Sequence, residues 1–221
     1  SEYRKKYESI LLKHGKAAEK RLLMYLKKGK IAERITVVPV LAKMQNNDAY
    51  SIYMNALRSK NERLKMIILE SLGYYTDGSA LSFLVQYLDK ANFIECEAIM
   101  KSLKNSGQNG EIELVKLLFN KNEDLRRIAA QGLDSIKWFP KNEDEALAYS
   151  IASQKWEDVI SYGPKAVEKL ISLIDLTKDI GYWDIKHILG VLVKINSKEA
   201  RDFSFKVLIN NDGYYGDEFG E

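Results

Sequence analysis

The stretch "DLRRIAAQGLDSI", residues 124–136, has the apolar spacing of an amphipathic helix. Apolar residues stand at positions 125, 128, 129, 133 and 136, and steps of three or four residues place side chains on one face of a helix with 3.6 residues per turn. Similar stretches recur along the chain. The spacing between these copies therefore decides the fold.

Pairs of Leu or Ile residues, 15 apart within each pair, recur along the sequence. Successive pairs are 31, 31 and 30 residues apart, and the last pair follows after 56. The five pairs are Leu26 and Leu41, Leu57 and Leu72, Leu88 and Leu103, Leu118 and Leu133, and Ile174 and Leu189. A period near 30 residues built from two helices is typical of an α-solenoid, in which each hairpin buries its apolar face by stacking on its neighbours.

The turn before each second helix repeats in phase with these anchors. An Asn that can cap the next helix stands 11 residues before the second anchor, and a cation stands 7 residues before it. The Asn residues are Asn61, Asn92 and Asn122, and the cations are Arg34, Lys65 and Arg126. A cation that recurs at one place in every repeat favours a structural role over ligand binding.

The repeat resembles HEAT-like repeats, including the short kind found in phycobilisome lyase relatives. Residues 124–136 look like the second helix of such a repeat, and the resemblance covers about residues 16–210. The third copy departs from the pattern, since Glu95 and Cys96 replace the apolar-Arg pair. The resemblance implies an all-α, right-handed α-solenoid of five to six HEAT-like hairpins, forming a single domain over residues 1–210.

The step of 56 residues contains one repeat and about 25 extra residues. Several HEAT-like proteins carry a similar insertion, and its pattern here comprises Trp138, Pro140, Tyr149, Ala152, Trp156, Gly163, Ala166, Val167 and Leu170. We therefore predict an inserted helix pair over about residues 138–163.

The residues of this insertion predict its helix boundaries. Pro140 is expected to stop the preceding helix, Asn142 to cap a new one, and Gly163 to end the next, with Pro164 in the first turn of the helix that follows. Acidic residues 143–145 then stand in the first turn of the new helix, where negative charge is favourable at the positive end of the helix dipole. We therefore interpret them as a helix start and not as a catalytic cluster. Trp138 and Trp156 are expected to fill space between repeats rather than to bind a ligand.

Proline and the C-terminal residues lead to two further expectations. Pro39 lies inside the second helix of the first repeat, where we expect a bend. Residues 211–221 form an acidic tail rich in Gly and Tyr, outside the repeats and with no helical period. The open alternatives for the tail are disorder, folding back on the basic N-terminal repeats, and occupation of the concave groove.

Several classes of function lack the residues that they need. No apolar run approaches the roughly 18 residues of a membrane helix, and the charged N-terminal residues do not form a signal peptide, so we expect a soluble, cytoplasmic protein. Cys96 is the single cysteine, so a thiolate metal cluster is excluded. The two histidines, His14 and His187, lack the His-Glu motifs of HEAT-like deoxyhypusine hydroxylases. We predict no enzyme activity, no cofactor and no metal.

Nucleic-acid binding is the main alternative function. Some HEAT-like proteins are alkylpurine DNA glycosylases with a basic groove, aromatic residues and a catalytic Asp. Trp183 with Asp184, and the cations Arg126, Arg127 and Lys186, could imitate such a groove. Residues 1–70 hold 16 Lys and Arg against 7 Asp and Glu, whereas the whole chain has 34 against 31. This small net charge, and cations that are not concentrated on the second helices, favour another class of partner.

The leading hypothesis is a non-enzymatic scaffold that binds a peptide, a helix or a domain on the concave face lined by the second helices. Its partner is another protein or another domain of a longer chain. The residues expected to point into that face are Met66, Leu69, Met100, Lys101, Arg127, Gln131, Trp183, Lys186 and His187. Methionine repacks against varied partners, but a shift of two residues in phase would instead make Met66, Leu69 and Met100 core residues.

Overall fold

A computed structural model describes residues 9–76, 78–173 and 182–210 of the chain. Residues 9–14 are helical, and they are followed by helices that we number in chain order. These are α1 (Lys16–Lys28), α2 (Ile31–Lys43), α3 (Asn47–Ala56), α4 (Glu62–Leu72), α5 (Gly78–Tyr87), α6 (Phe93–Asn105), α7 (Gln108–Leu117), α8 (Glu123–Ser135), α9 (Glu143–Ala152), α10 (Trp156–Ser161), α11 (Pro164–Leu173), α12 (Tyr182–Ile195) and α13 (Lys198–Asn210). A 3-10 turn, Leu88–Lys90, follows α5.

The helices are the only regular structure within the described ranges, which contain no β-strand. None of these helices has both the length and the apolar character that spanning a bilayer requires. The prediction of an all-α protein is therefore confirmed for the described residues.

The chain divides into two compact units between Glu113 and Leu114, inside α7. In the first unit α1 packs on α2 and α3 on α4, while α1 also contacts α3, α2 contacts α4, and α4 contacts α6. Helices α1 to α4 thus each meet a hairpin partner and the equivalent helix of the neighbouring hairpin. This arrangement is repeat-like, as the periodic Leu pairs predict.

The predicted anchors form the interior of this arrangement. All eight anchors of the first four repeats are buried, from Leu26 and Leu41 to Leu118 and Leu133. In the fifth pair Leu189 is partly buried against the core of the second unit, and Ile174 lies outside the described residues. The sequence period therefore identifies core positions in both units.

The predicted Asn caps are confirmed at each of the three turns. The side-chain oxygen of Asn61 accepts a hydrogen bond from the backbone N–H of Leu64 at 2.9 Å. Asn92 accepts the equivalent bond from the N–H of Glu95 at 2.9 Å, and Asn122 accepts one from the N–H of Asp124, two residues on, at 3.0 Å. Each bond satisfies one of the N–H groups that the first turn of a helix leaves without a partner.

Two of the recurring cations contact structural groups, as expected. Arg126 is 5% exposed and donates from Nη1 to the carbonyl oxygens of Asn120 and Lys121, at 2.8 and 2.9 Å. Lys65 instead lies 2.9 Å from Glu62 and 3.2 Å from Glu95 of the next hairpin. These contacts tie a helix to its preceding turn in one repeat and to its neighbour in another.

The inserted residues form a short hairpin, α9 and α10, in the second unit. Its helices follow the stacking rule of the other hairpins, because α9 contacts α11 and α10 contacts α12. Asn142 caps α9 with a 2.8 Å bond from the N–H of Glu145, which confirms the predicted start. The inserted pair therefore stacks in the same way as a repeat.

The ends of the inserted helices confirm two predictions and correct one. Gly163 has a φ of 57° after α10, and Pro164 is the first residue of α11, both as expected. The expectation that Pro140 stops α8 is wrong. The helix ends at Ser135, and Lys137 with a φ of 56° reverses the chain three residues before the proline.

Both tryptophans of the insertion contact other side chains of the second unit. The rings of Trp138 and Tyr149 lie 5.7 Å apart. Trp156 packs against the unit's core cluster and stacks on His187, with ring centroids 5.7 Å apart. These contacts give both tryptophans the packing role that the sequence favours.

Two sequence expectations remain predictions. Helix α2 runs from Ile31 to Lys43 with Pro39 buried inside it, and the expected bend at this proline stays a prediction. The expectation of a single repeat domain over residues 1–210 also stays a prediction. The tail, residues 211–221, lies outside the described residues.

Candidate functional site

Helices α4 and α6 bring together the predicted surface residues of the first unit. The two helices pack directly on each other, and Lys101 Nζ of α6 lies 2.9 Å from Glu70 Oε1 of α4. This ion pair joins positions that are one repeat apart. Met66, Leu69 and Met100 lie on the same two helices, so all four predicted residues of this unit are on neighbouring helices.

The fourth predicted residue of this set, Leu69, belongs to the core. It is fully buried, whereas Met66 and Met100 are half-buried and the Lys101 side chain is 61% exposed. Because a fully buried side chain offers no area to a partner, Leu69 is removed from the predicted surface. The sequence left open whether Met66, Leu69 and Met100 face a partner or the core. Leu69 is a core residue, whereas Met66 and Met100 keep part of their surface exposed.

The predicted residues of the second unit lie on two separate helices. Arg127 and Gln131 are exposed on α8, where Arg127 pairs with Asp124. His187 is exposed on α12 and stacks on Trp156. The side chains of Trp183 and Lys186 lie outside the described residues. Since α8 packs on α9 while α12 packs on α10 and α13, these residues do not share one helix pair as Met66 and Met100 do.

Two exposed apolar residues at the start of α6 were missed by the sequence analysis. Phe93 is 78% exposed and Ile94 is 58% exposed. The equivalent positions of the second and fourth repeats hold charged residues, 62 and 63 in one and 123 and 124 in the other. A comparison of the repeats at this position could have found them, because two large apolar residues replace charges there.

These residues extend one continuous face of α6. Phe93, Glu97, Met100 and Lys104 follow one another at steps of three or four, and Ile94 and Lys101 flank them, so all lie on one side of the helix. All are exposed except the half-buried Met100. We define the α6 face as Phe93, Ile94, Glu97, Met100, Lys101 and Lys104.

A buried ionic cluster holds the opposite side of α6. The Glu95 carboxylate is 4% exposed and accepts hydrogen bonds from Lys65 Nζ at 3.2 Å, from Tyr87 Oη at 3.3 Å and from the N–H of Asn92 at 3.0 Å. Glu95 and Asn92 thereby form a reciprocal capping box at the start of α6. The exposed Phe93 and Ile94 follow directly after this fixed turn.

The cluster shifts the titration of its members. Burial raises the pKa of the Glu95 carboxyl, but the Asn92 N–H and the Lys65 ammonium outweigh it and bring the pKa below its ordinary value. Hydrogen bonds to Glu62 and then Glu95 raise the pKa of Lys65. Burial, followed by the charge of Glu95, raises the pKa of Tyr87. Near neutral pH the cluster therefore consists of an ionised pair beside a neutral phenol.

A polar cleft in the second unit contains the acidic residues that begin α9. The cleft has a volume of about 600 Å³ between α9 and α11. Glu143 pairs with Lys165, and Asp144 pairs with Lys169 at 2.9 Å. These acids are therefore engaged in ion pairs across the cleft, which fits a helix start held by its neighbour.

Possible metal ligands and the single thiol were the remaining candidates for chemistry in the described part of the chain. Within it, no three His, Cys, Asp or Glu side chains are grouped so that they could hold a metal ion. Cys96 is half-buried, and its thiol lies 3.9 Å from the carbonyl oxygen of Ala91.

Comparison of the chain with known protein families, with curated proteins and with solved structures finds no match. The interpretation of the α6 face therefore depends on its own chemistry.

Proposed function

We propose that this protein is a non-enzymatic, protein-binding scaffold whose partner contacts the α6 face and the adjoining residues of α4. In this proposal the hairpins are HEAT-like repeats of a right-handed α-solenoid, and the second helices carry the contact residues. The partner is a peptide, a helix or a domain of another protein. Phe93, 78% exposed at a position where two other repeats have charges, is the observation that carries this proposal.

The composition of the α6 face supports a protein partner. Aromatic residues and methionine are enriched where proteins bind one another, and a few large side chains dominate the binding energy. Phe93 and Ile94 supply such side chains on a turn fixed by the capping box. Glu97, Lys101 and Lys104 supply a charged margin of both signs around them. An apolar centre with a mixed polar margin is suited to a protein surface.

The ion pairs of the described residues weaken the case for a polyanion. Lys101 is paired with Glu70, Arg127 with Asp124, and Lys194 with Glu157 at 2.6 Å. Nucleic-acid binding depends on cations that are free to neutralise phosphates. Paired cations on several helices instead give alternating charge, which supports the scaffold over the nucleic-acid alternative.

Affinity capture from a lysate of the source organism tests the proposal. Immobilised wild-type chain is compared with Phe93→Ala and with the matched control Phe139→Ala, which removes an equally exposed phenylalanine, 80% exposed, before Pro140. We expect a protein partner that resists nuclease, is retained by Phe139→Ala and is lost or strongly reduced with Phe93→Ala. Because both side chains are exposed, neither change should alter the melting temperature by more than about 2 °C.

Titration of labelled DNA and RNA at two salt concentrations tests the alternative. The scaffold proposal predicts no tight binding at physiological salt. Salt-sensitive binding that persists in Phe93→Ala, together with a captured partner that disappears after nuclease treatment, would overturn the proposal in favour of nucleic acid.

A further inference from the structure

A second apolar surface lies on the first hairpin, away from the α6 face. It is a groove of about 560 Å³ whose described lining residues come from α1, α2 and Leu11. Leu22 and Val37, which are 5% and 6% exposed, form its floor. The neighbouring hairpin meets α1 and α2 through α3 and α4, whereas the described lining of the groove includes neither of these helices. Within the described residues, neither α3 nor α4 covers this side of α1 and α2, and Leu11 of the helical residues 9–14 borders the groove.

Small side chains shape the walls of this groove. Ala18 lies on the α1 side, while Ala32 and Thr36 lie on the α2 side. The Thr36 hydroxyl donates to the carbonyl oxygen of Ala32 at 2.8 Å, so the hydroxyl hydrogen is already used within α2. Where these small side chains adjoin the apolar floor, a helix backbone can approach closely, as ridges-into-grooves packing requires, while Tyr25 adds a large side chain to the α1 side. The groove offers another helix the same kind of contact that α4 makes with α2.

Cations outnumber acids on the two helices that line the groove. Arg21 lines it, and Lys28, seven residues later, lies on the same side of α1. Glu33 is the acid of the lining, and its carboxylate accepts the backbone N–H of Lys30 at 2.6 Å at the start of α2. Helices α1 and α2 together contain seven Lys and Arg against two Glu. An occupant with acidic residues beside its apolar face would complement this margin.

We propose that this groove binds an acidic amphipathic helix of a partner protein, which packs against α1 and α2 of the first hairpin. Apolar side chains at i, i+3, i+4 and i+7 of that helix would contact Leu22 and Val37, and its carboxylates would face Arg21 and Lys28. Residues 1–8 of this chain are a poorer match in charge, since "SEYRKKYE" contains three cations against two acids. This site is separate from the α6 face, and its proposal does not depend on the function proposed for that face.

Fluorescence anisotropy with two labelled 15-residue peptides and the full chain tests this site. Both peptides carry leucines at the i, i+3, i+4 and i+7 spacing, and their polar faces hold glutamates in one and lysines in the other. We expect saturable binding of the glutamate peptide, at least tenfold tighter than that of the lysine peptide and weaker at high salt.

Three variants locate the binding, each checked for folding by circular dichroism. Ala32→Trp fills the groove and should weaken binding of the glutamate peptide at least tenfold. Arg21→Glu should weaken it severalfold. Arg63→Glu, which reverses an exposed cation on α4 outside the groove, and Phe93→Ala on the α6 face should leave it unchanged.

Several outcomes would overturn this proposal. These are no saturable binding, equal binding of the two peptides, or binding that Ala32→Trp does not affect. A dimer in sedimentation equilibrium that Ala32→Trp dissociates would assign the groove to a second copy of the chain. Binding that appears only after deletion of residues 1–8 would assign it to the chain's own N-terminal residues.

Discussion

At the scale of single residues, the Glu95 side chain links three helices through hydrogen bonds. Its carboxylate on α6 meets Lys65 of α4 and Tyr87 of α5. A buried ion pair is costly to break from one side, because the remaining charge stays buried without its partner. The cluster therefore makes the start of α6 sensitive to the protonation of one carboxyl.

Substitution of this carboxyl should change both stability and its pH dependence. Since the folded-state pKa of Glu95 is lowered, its contribution is present above the unfolded value of about 4.3 and is lost as the pH falls through the folded value. The raised pKa of Lys65 acts only on the alkaline side, so it does not alter this window. We expect Glu95→Gln to lower the free energy of unfolding at pH 7 by about 1–3 kcal/mol.

Urea unfolding of the wild type and of Glu95→Gln between pH 7 and pH 3 measures this effect. The difference should shrink as the pH falls below the unfolded-state value of about 4.3, because the unfolded carboxyl then takes up protons while the folded carboxyl, with its lowered pKa, is still ionised. Glu97→Gln, an exposed position on the same helix, is the control and should match the wild type. A difference that is constant over the whole pH range would contradict the assignment to ionised Glu95.

Gly73 is a second residue whose role depends on tertiary contact. A Cβ atom at this position would lie 2.1 Å from the carbonyl oxygen of Ser102 on α6. The φ of Gly73 is −65°, which any residue adopts, so close helix packing and not backbone conformation requires glycine here. We expect Gly73→Ala to destabilise the protein by about 1–3 kcal/mol.

A matched glycine separates this clash from general effects of alanine. A Cβ atom at Gly78, at the start of α5, would meet nothing within 4 Å. Gly78→Ala should therefore be neutral or stabilising by up to about 1 kcal/mol. Thermal unfolding measures both variants. Equal losses of stability for Gly73→Ala and Gly78→Ala would contradict the steric explanation.

Residue roles were predictable where they depend on local spacing. The Asn caps and the buried Leu anchors follow from their distance to the next helix or to the equivalent residue one repeat later. Glu95 was identified only as a departure from the repeat, because its partner Lys65 is 30 residues away. The clash at Gly73 likewise depends on how closely α4 and α6 approach, which no local pattern specifies.

At the level of elements, an Asn caps the start of each second helix in repeats two to four. Asn61, Asn92 and Asn122 each accept a backbone N–H of the following turn. Replacing such a cap by alanine leaves that donor without its partner, at a typical cost of about 1 kcal/mol. The three caps thus define equivalent helix starts in successive repeats.

Alanine substitution of the three caps should therefore give three similar losses. We expect Asn61→Ala, Asn92→Ala and Asn122→Ala each to lower the free energy of unfolding by about 0.5–2 kcal/mol. Asn92→Ala should lie at the upper end, since Asn92 belongs to the reciprocal box with Glu95. Asn55→Ala, an exposed position within α3, should change stability by no more than about 0.5 kcal/mol. Chemical denaturation measures these changes. If the three cap variants lose no more stability than Asn55→Ala, the capping role of these residues is contradicted.

Helix boundaries were predictable in part. Gly163 and Pro164 act through their own backbone restrictions, so their places at the end of α10 and the start of α11 could be predicted. The end of α8 was assigned to Pro140, whereas Lys137 adopts the left-handed conformation earlier. A lysine carries no such signal, and tertiary packing of the following Trp138 against Tyr149 accompanies the turn.

For the molecule as a whole, the repeat pattern predicts helices that pack with sequential neighbours, and both units show this arrangement. The candidate surface was less predictable. Met66, Met100 and Lys101 lie on it, but Leu69 is core, because one helix turn spans both the buried and the exposed side. Phe93 and Ile94 were missed, since apolar residues beside a cap resemble any helix start until their exposure is known.

The central claim is that the α6 face binds a protein through Phe93. The most direct test is the dissociation constant of the purified partner for the wild type, Phe93→Ala and Phe139→Ala, measured by isothermal titration calorimetry. The account predicts at least tenfold weaker binding for Phe93→Ala and no change for Phe139→Ala, as truncation of an interface anchor costs about 2 kcal/mol or more. Equal dissociation constants for all three proteins would contradict it.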